Sequence, residues 1–151
     1  MIQHILLKLY WANFTTTQIH QFIKDYPEVI SESPPTQKEM IEDWTIRQTT
    51  STLKKKFNLF KSLDTEVLLQ EMSKKNLKFL TYFDKNYPQL LKEIYDFPYI
   101  IFYKGNKQLF NYPHTLAVIG SRKSSSYTTQ ALEYLFPSFK QLKMTIISGL
   151  A

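Results

Sequence analysis

The chain has 151 residues, 43% hydrophobic and 15% aromatic, with no cysteine and a formal net charge of +6. This length admits one domain or two small ones, and the lack of cysteine excludes disulfides and thiolate metal sites. No run nears the roughly 20 apolar residues of a membrane span. The start MIQHILLKLYW has no secretory-signal pattern, so a cytoplasmic protein with no membrane partner is expected.

The first half reads as helical. Ile2, Ile5, Leu6 and Leu9 fall at helical spacing. Thr15 with Gln18 makes a capping-box pattern ahead of Ile19, Phe22 and Ile23, and Asp25-Tyr26-Pro27 ends that helix. Residues 31–35 read as a loop. Thr36 with Glu39 is a second capping box, opening a helix that carries Met40, Ile41 and Trp44. Leu53, Phe57 and Phe60 mark a further helix after the Thr-rich stretch 49–52. Asp64 caps a last one with Val67, Leu68 and Met72 on one side. The aromatic stripes at helical spacing read as core.

The texture changes near Leu77. Residues 77–82 predict a strand, Tyr87-Pro88 a short helix over 89–94, and Asp96-Phe97-Pro98 a turn. Tyr99–Tyr103 is a dense β-rich run stopped by Lys104-Gly105-Asn106, and residues 115–119 suit a central parallel strand. Residues 128–140 predict a helix, with Pro137 expected to kink or shorten it. Residues 144–147 predict another buried strand before Ser148-Gly149-Leu150-Ala151. The order is β–loop–α–β, the start of a doubly wound α/β sheet. The expected organisation is a helical domain over 1–75 and a Rossmann-like domain over 76–151.

The charge is concentrated. Residues 1–98 hold 13 Lys/Arg and 12 Asp/Glu, whereas 99–151 hold six cations and one acid, Glu133. A one-signed segment suits a phosphate or polyanion partner, or is simply a solvated basic surface. Within it, LAVIGSRKSSSY (116–127) follows an apolar strand with a glycine, two cations and a row of hydroxyls. In such sheets ligands bind beyond the carboxyl ends of the strands. Gly120 would let the backbone approach an anion. Ser121, Ser124, Ser125 and Ser126 offer hydroxyl and amide donors, and Arg122 a bidentate cation beside Lys123. The next helix presents its N-terminus. Tyr127 is expected to pack under the loop, with base stacking as the alternative. Neither G-x-G-x-x-G nor G-x-x-x-x-G-K-[ST] is present. No catalytic constellation stands out: His4, His20 and His114 are scattered and read as structural or exposed, and Asp84 and Asp96 as turn residues. Lys54-Lys55-Lys56 reads as a solvated helix face.

Three segments in order, YPQLLKEIYDFPYIIFYKGN (87–106), LAVIGSRKSSSY (116–127) and TIISGLA (145–151), resemble the DNA-processing protein A family, DprA or Smf. The resemblance runs from about residue 78 to the end. It implies an extended Rossmann-like domain binding single-stranded DNA, and a variable N-terminal helical domain of the SAM or helix-hairpin-helix class. It further implies protection of incoming strands in natural transformation, loading of the RecA recombinase, homodimers and no catalytic step, cofactor or metal. Carried over by position, Gly120, Ser121, Arg122, Lys123 and Ser124 form the phosphate-contacting loop. Ser148 and Gly149 begin a second glycine-rich motif that in the family continues into Gly-Ile-Asp and Ala-His. The sequence therefore reads as a truncated member with reduced activity. The alternative is a nucleotide enzyme of the phosphoribohydrolase type, which needs a carboxylate near the loop; Glu133 is the one acid there.

Overall fold

The computed structural model describes residues 2–48 and 50–149. Five helices come first: α1 (Ile2–Trp11), α2 (Thr16–Asp25), α3 (Pro34–Arg47), α4 (Ser51–Ser62) and α5 (Thr65–Lys74). Strands β1 (Lys78–Thr81), β2 (Ile100–Tyr103) and β3 (Thr115–Ala117), then helix α6 (Ser126–Gln141) and strand β4 (Thr145–Ile147), complete the mixed α/β chain. Among these helices none is long and apolar enough to cross a membrane.

Local chemistry sets most helix ends. The Thr15 hydroxyl accepts the Gln18 amide at 3.2 Å and the Gln18 side chain accepts the Thr15 amide at 3.0 Å, closing the expected capping box. Asp64 Oδ1 accepts the amides of Glu66 and Val67 at 2.8 and 3.2 Å. α1 and α5 both stop at an asparagine in the left-handed region, Asn13 at φ 63° and Asn76 at φ 50°. α3 departs from expectation. It opens at Pro34, not Thr36, because proline at the first helical position has a preset φ and no N–H to satisfy. Thr36 Oγ1 then meets Ser33 Oγ at 2.8 Å instead of capping a helix. Val67 is exposed while Leu68 and Met72 are buried, so the apolar face of α5 is narrower than expected.

The chain divides into two compact units, Met1–Lys107 and Gln108–Ala151. The division falls well beyond the expected change at 75–76, because β1 and β2 pack on the helices. They pair antiparallel, Lys78 with Tyr103 through Thr81 with Ile100. Ile100 joins Leu7, Leu68 and Met72 in one apolar cluster, with Leu77, Phe79 and Phe102 packed against it. The larger cluster gathers Leu6 and Leu9 from α1, Phe22 from α2, Ile41 and Trp44 from α3, and Phe57 and Phe60 from α4.

Asp84 does more than shape a turn. Its Oδ2 accepts the amide and hydroxyl of buried Thr81, both at 2.7 Å, and its Oδ1 accepts Gln3 Nε2 at 2.7 Å, tying α1 to the end of β1. His20 Nε2 lies 2.7 Å from the Phe97 carbonyl oxygen, and its ring packs on Phe97 and Tyr99. The fully buried Tyr87 donates its hydroxyl to the Pro98 carbonyl.

The second unit is a minimal β–α–β element. β3 and β4 pair in parallel, and α6 crosses between them. Pro137 does not end α6, which runs on to Gln141. The missing proline N–H strands only the Glu133 carbonyl, and both residues are exposed where water replaces the lost bond. No described residue from 108 to 149 is buried. Ile119 is 91% exposed, so the strand expected to reach it ends at Ala117.

Two outcomes follow. Amides of α6 and β4 should exchange with deuterium far faster than those of α1 and α2, since a unit without buried side chains opens at low free energy. Exchange at equal rates in both units would contradict the contrast in burial. Burial also pushes the Tyr87 phenol from 10.0 up to about 12. A raised tyrosine pKa means that the neutral form is favoured in the folded state. Its contribution is therefore intact below pH 10 and lost as pH rises toward about 12. Chemical denaturation at pH 8 to 12 should show a steeper alkaline fall for the wild type than for Tyr87→Phe. The variant should also be about 1 kcal/mol less stable at pH 8 through loss of the hydrogen bond.

Candidate functional site

The candidate site is built on the parallel pair. Thr115 aligns with Thr145, Leu116 with Ile146 and Ala117 with Ile147. Thr145 N–H donates to the His114 carbonyl at 2.7 Å and Val118 N–H to the Ile147 carbonyl at 2.9 Å, extending the ladder at both ends. Parallel neighbours end on the same side, so the segments after Ala117 and Ile147 leave the sheet together at its carboxyl edge. Gly120, Ser121, Arg122, Lys123 and Ser124 stand on one of these segments, Ser148 and Gly149 on the other, and all seven are exposed. Leu150 and Ala151, the end of the second expected motif, lie outside the described residues.

The loop has little internal bonding. Ser121 Oγ accepts the Lys123 amide at 3.1 Å, a hydroxyl-closed turn that sets the backbone around Arg122. Gly120 is not in the left-handed region, and a Cβ there would meet nothing within 4 Å. Neither strain nor crowding within the chain therefore accounts for the glycine. Ser125 is the N-cap of α6 in extended conformation (φ −98°, ψ 168°) and makes no side-chain cap bond. The Thr128 and Thr129 amides bond the Ser125 carbonyl at 3.0 and 3.4 Å, the Ser126 and Tyr127 amides precede that ladder, and the positive end of the helix dipole lies at this edge.

The charge there is one-signed. From 108 to 149 the cations are Arg122, Lys123, Lys140 and Lys143, and the one acid is Glu133. Glu133 is the eighth residue of α6, so it lies about 10 Å along the axis from the first. A carboxylate at that distance does not meet an atom held by the loop.

Tyr127 departs from its expected packing role: it is 76% exposed. α6 has no buried residue, and Tyr127 projects from its exposed first turn. Local pattern alone did not single out Ser125 as the helix cap. The signal was the unbroken hydroxyl run from Ser124 to Ser126 preceding Thr128 and Thr129. Lys54 and Lys55 are exposed as expected, whereas Lys56 Nζ donates to Gln18 Oε1 at 2.8 Å and belongs to the fold of the first unit.

The chain is similar to known proteins in sequence and fold. Residues 78–151 match the family model described as DNA recombination-mediator protein A. The chain is 39% identical over 82 residues to the DNA processing protein DprA of Streptococcus pneumoniae (strain ATCC BAA-255 / R6), covering 53% of this chain and 28% of that protein. It is 34% identical over 67 residues to the DNA processing protein DprA of Bacillus subtilis (strain 168), covering 44% of this chain and 23% of that protein. The X-ray structure of DNA processing protein A from Streptococcus pneumoniae superposes with a TM-score of 0.72 at 28% identity. The superposition covers 96% of this chain and 48% of that one, so the chain spans about half the length of its solved relative. Through residues 78–151 the chain belongs to the DNA recombination-mediator protein A family.

Proposed function

We propose that the chain is a DNA-processing protein that binds single-stranded DNA, with Gly120, Ser121, Arg122, Lys123, Ser124, Ser148 and Gly149 contacting its phosphates. The observation that carries this reading is the parallel β3–β4 pairing. It directs two exposed loops, the Arg122-Lys123 pair and the α6 N-terminus to one edge of the sheet. The Arg122 guanidinium offers a phosphate two parallel donors, Lys123 adds a point charge, and the loop and helix amides supply neutral donors. Capture is electrostatic and sequence-independent, released by salt. Tyr127, exposed one turn from the loop, is a stacking platform for a base.

The names of the relatives support a role in DNA processing. In that role the protein protects incoming single strands during transformation and helps load RecA, in the cytoplasm, as a homodimer. The chemistry is binding and not bond cleavage: Glu133, the one carboxylate on this unit, stands too far along α6 to serve a hydrolase at the loop.

Fluorescence anisotropy of a labelled single-stranded oligonucleotide tests this. Affinity should fall steeply with salt, and Arg122→Ala should weaken it at least about fivefold while lowering the log–log salt slope by about 0.7. Tyr127→Ala should cost about 1–3 kcal/mol of binding without changing that slope. Binding unaltered by both substitutions would remove the loop from the interface.

A further inference from the structure

A second concentration of positive charge lies in the helical unit, away from the family's motifs. A cleft of about 200 Å³ is walled by His4 and Lys8 from α1, Gln37 and Lys38 from α3, Phe60 from α4 and Thr65 from α5. Lys8 is half-buried, and its Nζ sits 4.6 Å from the centre of the Phe60 ring, which holds the ammonium in place. Burial lowers the Lys8 pKa, and the charge of Lys38 lowers it further, so the two ammonium groups repel across the cleft. Asp64 opposes this more weakly. Its Oδ1 is engaged by the amides of Glu66 and Val67 at the cap of α5.

Neither lysine takes part in an ion pair among the described residues; those pairs are Arg47 with Asp43 and Lys74 with Glu71. Gln37 and Lys38 lie one turn into α3, which opens on two prolines, and Thr65 opens α5, whose first amides are taken by Asp64. The wall is rigid at Gln37, whose buried side chain donates to the Val29 carbonyl at 2.7 Å. A concavity lined by two ammonium groups that repel each other is stabilised by an anion. Its volume lies below the roughly 300–1,000 Å³ of pockets that enclose a whole small molecule, and it suits one compact anionic group with the rest of the ligand outside.

We propose that this cleft is a phosphate site, in which the ammonium groups of Lys8 and Lys38 and the Thr65 hydroxyl hold one phosphate group. The phosphate belongs either to a strand of nucleic acid or to a free nucleotide. The site does not depend on the 118–125 loop, and it can fail or hold independently of the function proposed for that loop.

The test is NMR on the isotope-labelled full chain, titrated with inorganic phosphate against chloride at matched ionic strength. The Gln37 and Thr65 amides and the Phe60 ring report on the cleft. Shifts should saturate in wild type and in Arg122→Ala alike. Lys38→Gln and Lys8→Met should each weaken the phosphate at least about fivefold. Methionine keeps an unbranched stem over Phe60, and Lys38 is exposed, so Lys38→Gln gives a folded comparison even if Lys8→Met unfolds. Displacement of phosphate by an oligonucleotide without terminal phosphate assigns the site to a nucleic-acid backbone. Displacement by dAMP alone assigns it to a free or terminal phosphate. Shifts that rise linearly without saturating, or that saturate equally in Lys38→Gln, would overturn the proposal.

Discussion

Nearly everything ordered in the first unit depends on burying α1 on two sides. Leu6 and Leu9 enter the helical cluster with Phe22, Ile41 and Phe60, while Leu7 enters a second cluster with Leu68, Met72 and Ile100. A helix buried on two sides needs neighbours on both, which is why α5 and the β1–β2 hairpin close against it. Burying each such leucine contributes about 1.5–3 kcal/mol, far more than any cap or surface ion pair. The polar ties reinforce that packing. Gln3 reaches Asp84 from α1, and Asp84 in turn satisfies Thr81, which is fully buried at the end of β1.

The β3–α6–β4 unit stands on a different footing. Its strands are three residues each and its order comes from the backbone ladder, with no described side chain buried. A parallel pair ordinarily has both faces covered. Here Ile147 is 55% exposed and Tyr134 84%. The consequence for the candidate site is direct: the loops at the carboxyl edge are positioned by strand pairing and by the start of α6, so their geometry is only as firm as those bonds.

Helix caps and periodic apolar faces were readable in the sequence because they depend on residues three or four apart. The Thr15–Gln18 box, the Asp64 cap and the Leu53-Phe57-Phe60 stripe are all of that kind. Thr36 was misread because two prolines earlier in the chain start the helix for a reason stronger than a side-chain cap. Tyr127 and Ile119 were misread because an apolar or aromatic residue next to a strand is ordinarily covered, and coverage is a tertiary property. The links from Gln3 to Asp84 and from His20 to Phe97 span 81 and 77 residues, and no local pattern encodes them. The candidate loop stood out by composition, and it is exposed. Its pairing with Ser148 and Gly149 at one edge rests on the β3–β4 register.

Kinship and packing divide this chain at different points. The family match begins at residue 78, whereas compactness divides at Lys107. The segment between belongs to the family by sequence and to the helical unit by burial. Ile100 is 5% exposed because Leu7, Leu68 and Met72 surround it, and the buried Tyr87 bonds the Pro98 carbonyl next to Phe97, which His20 meets from α2. Cutting the chain at the sequence boundary would strip one wall from α1 and leave Leu7 and Met72 facing water. The helices are thus not a detachable appendage to the matched segment. The residues that begin the family's own domain also complete the core of the unit before it, so the first 107 residues form one compact unit.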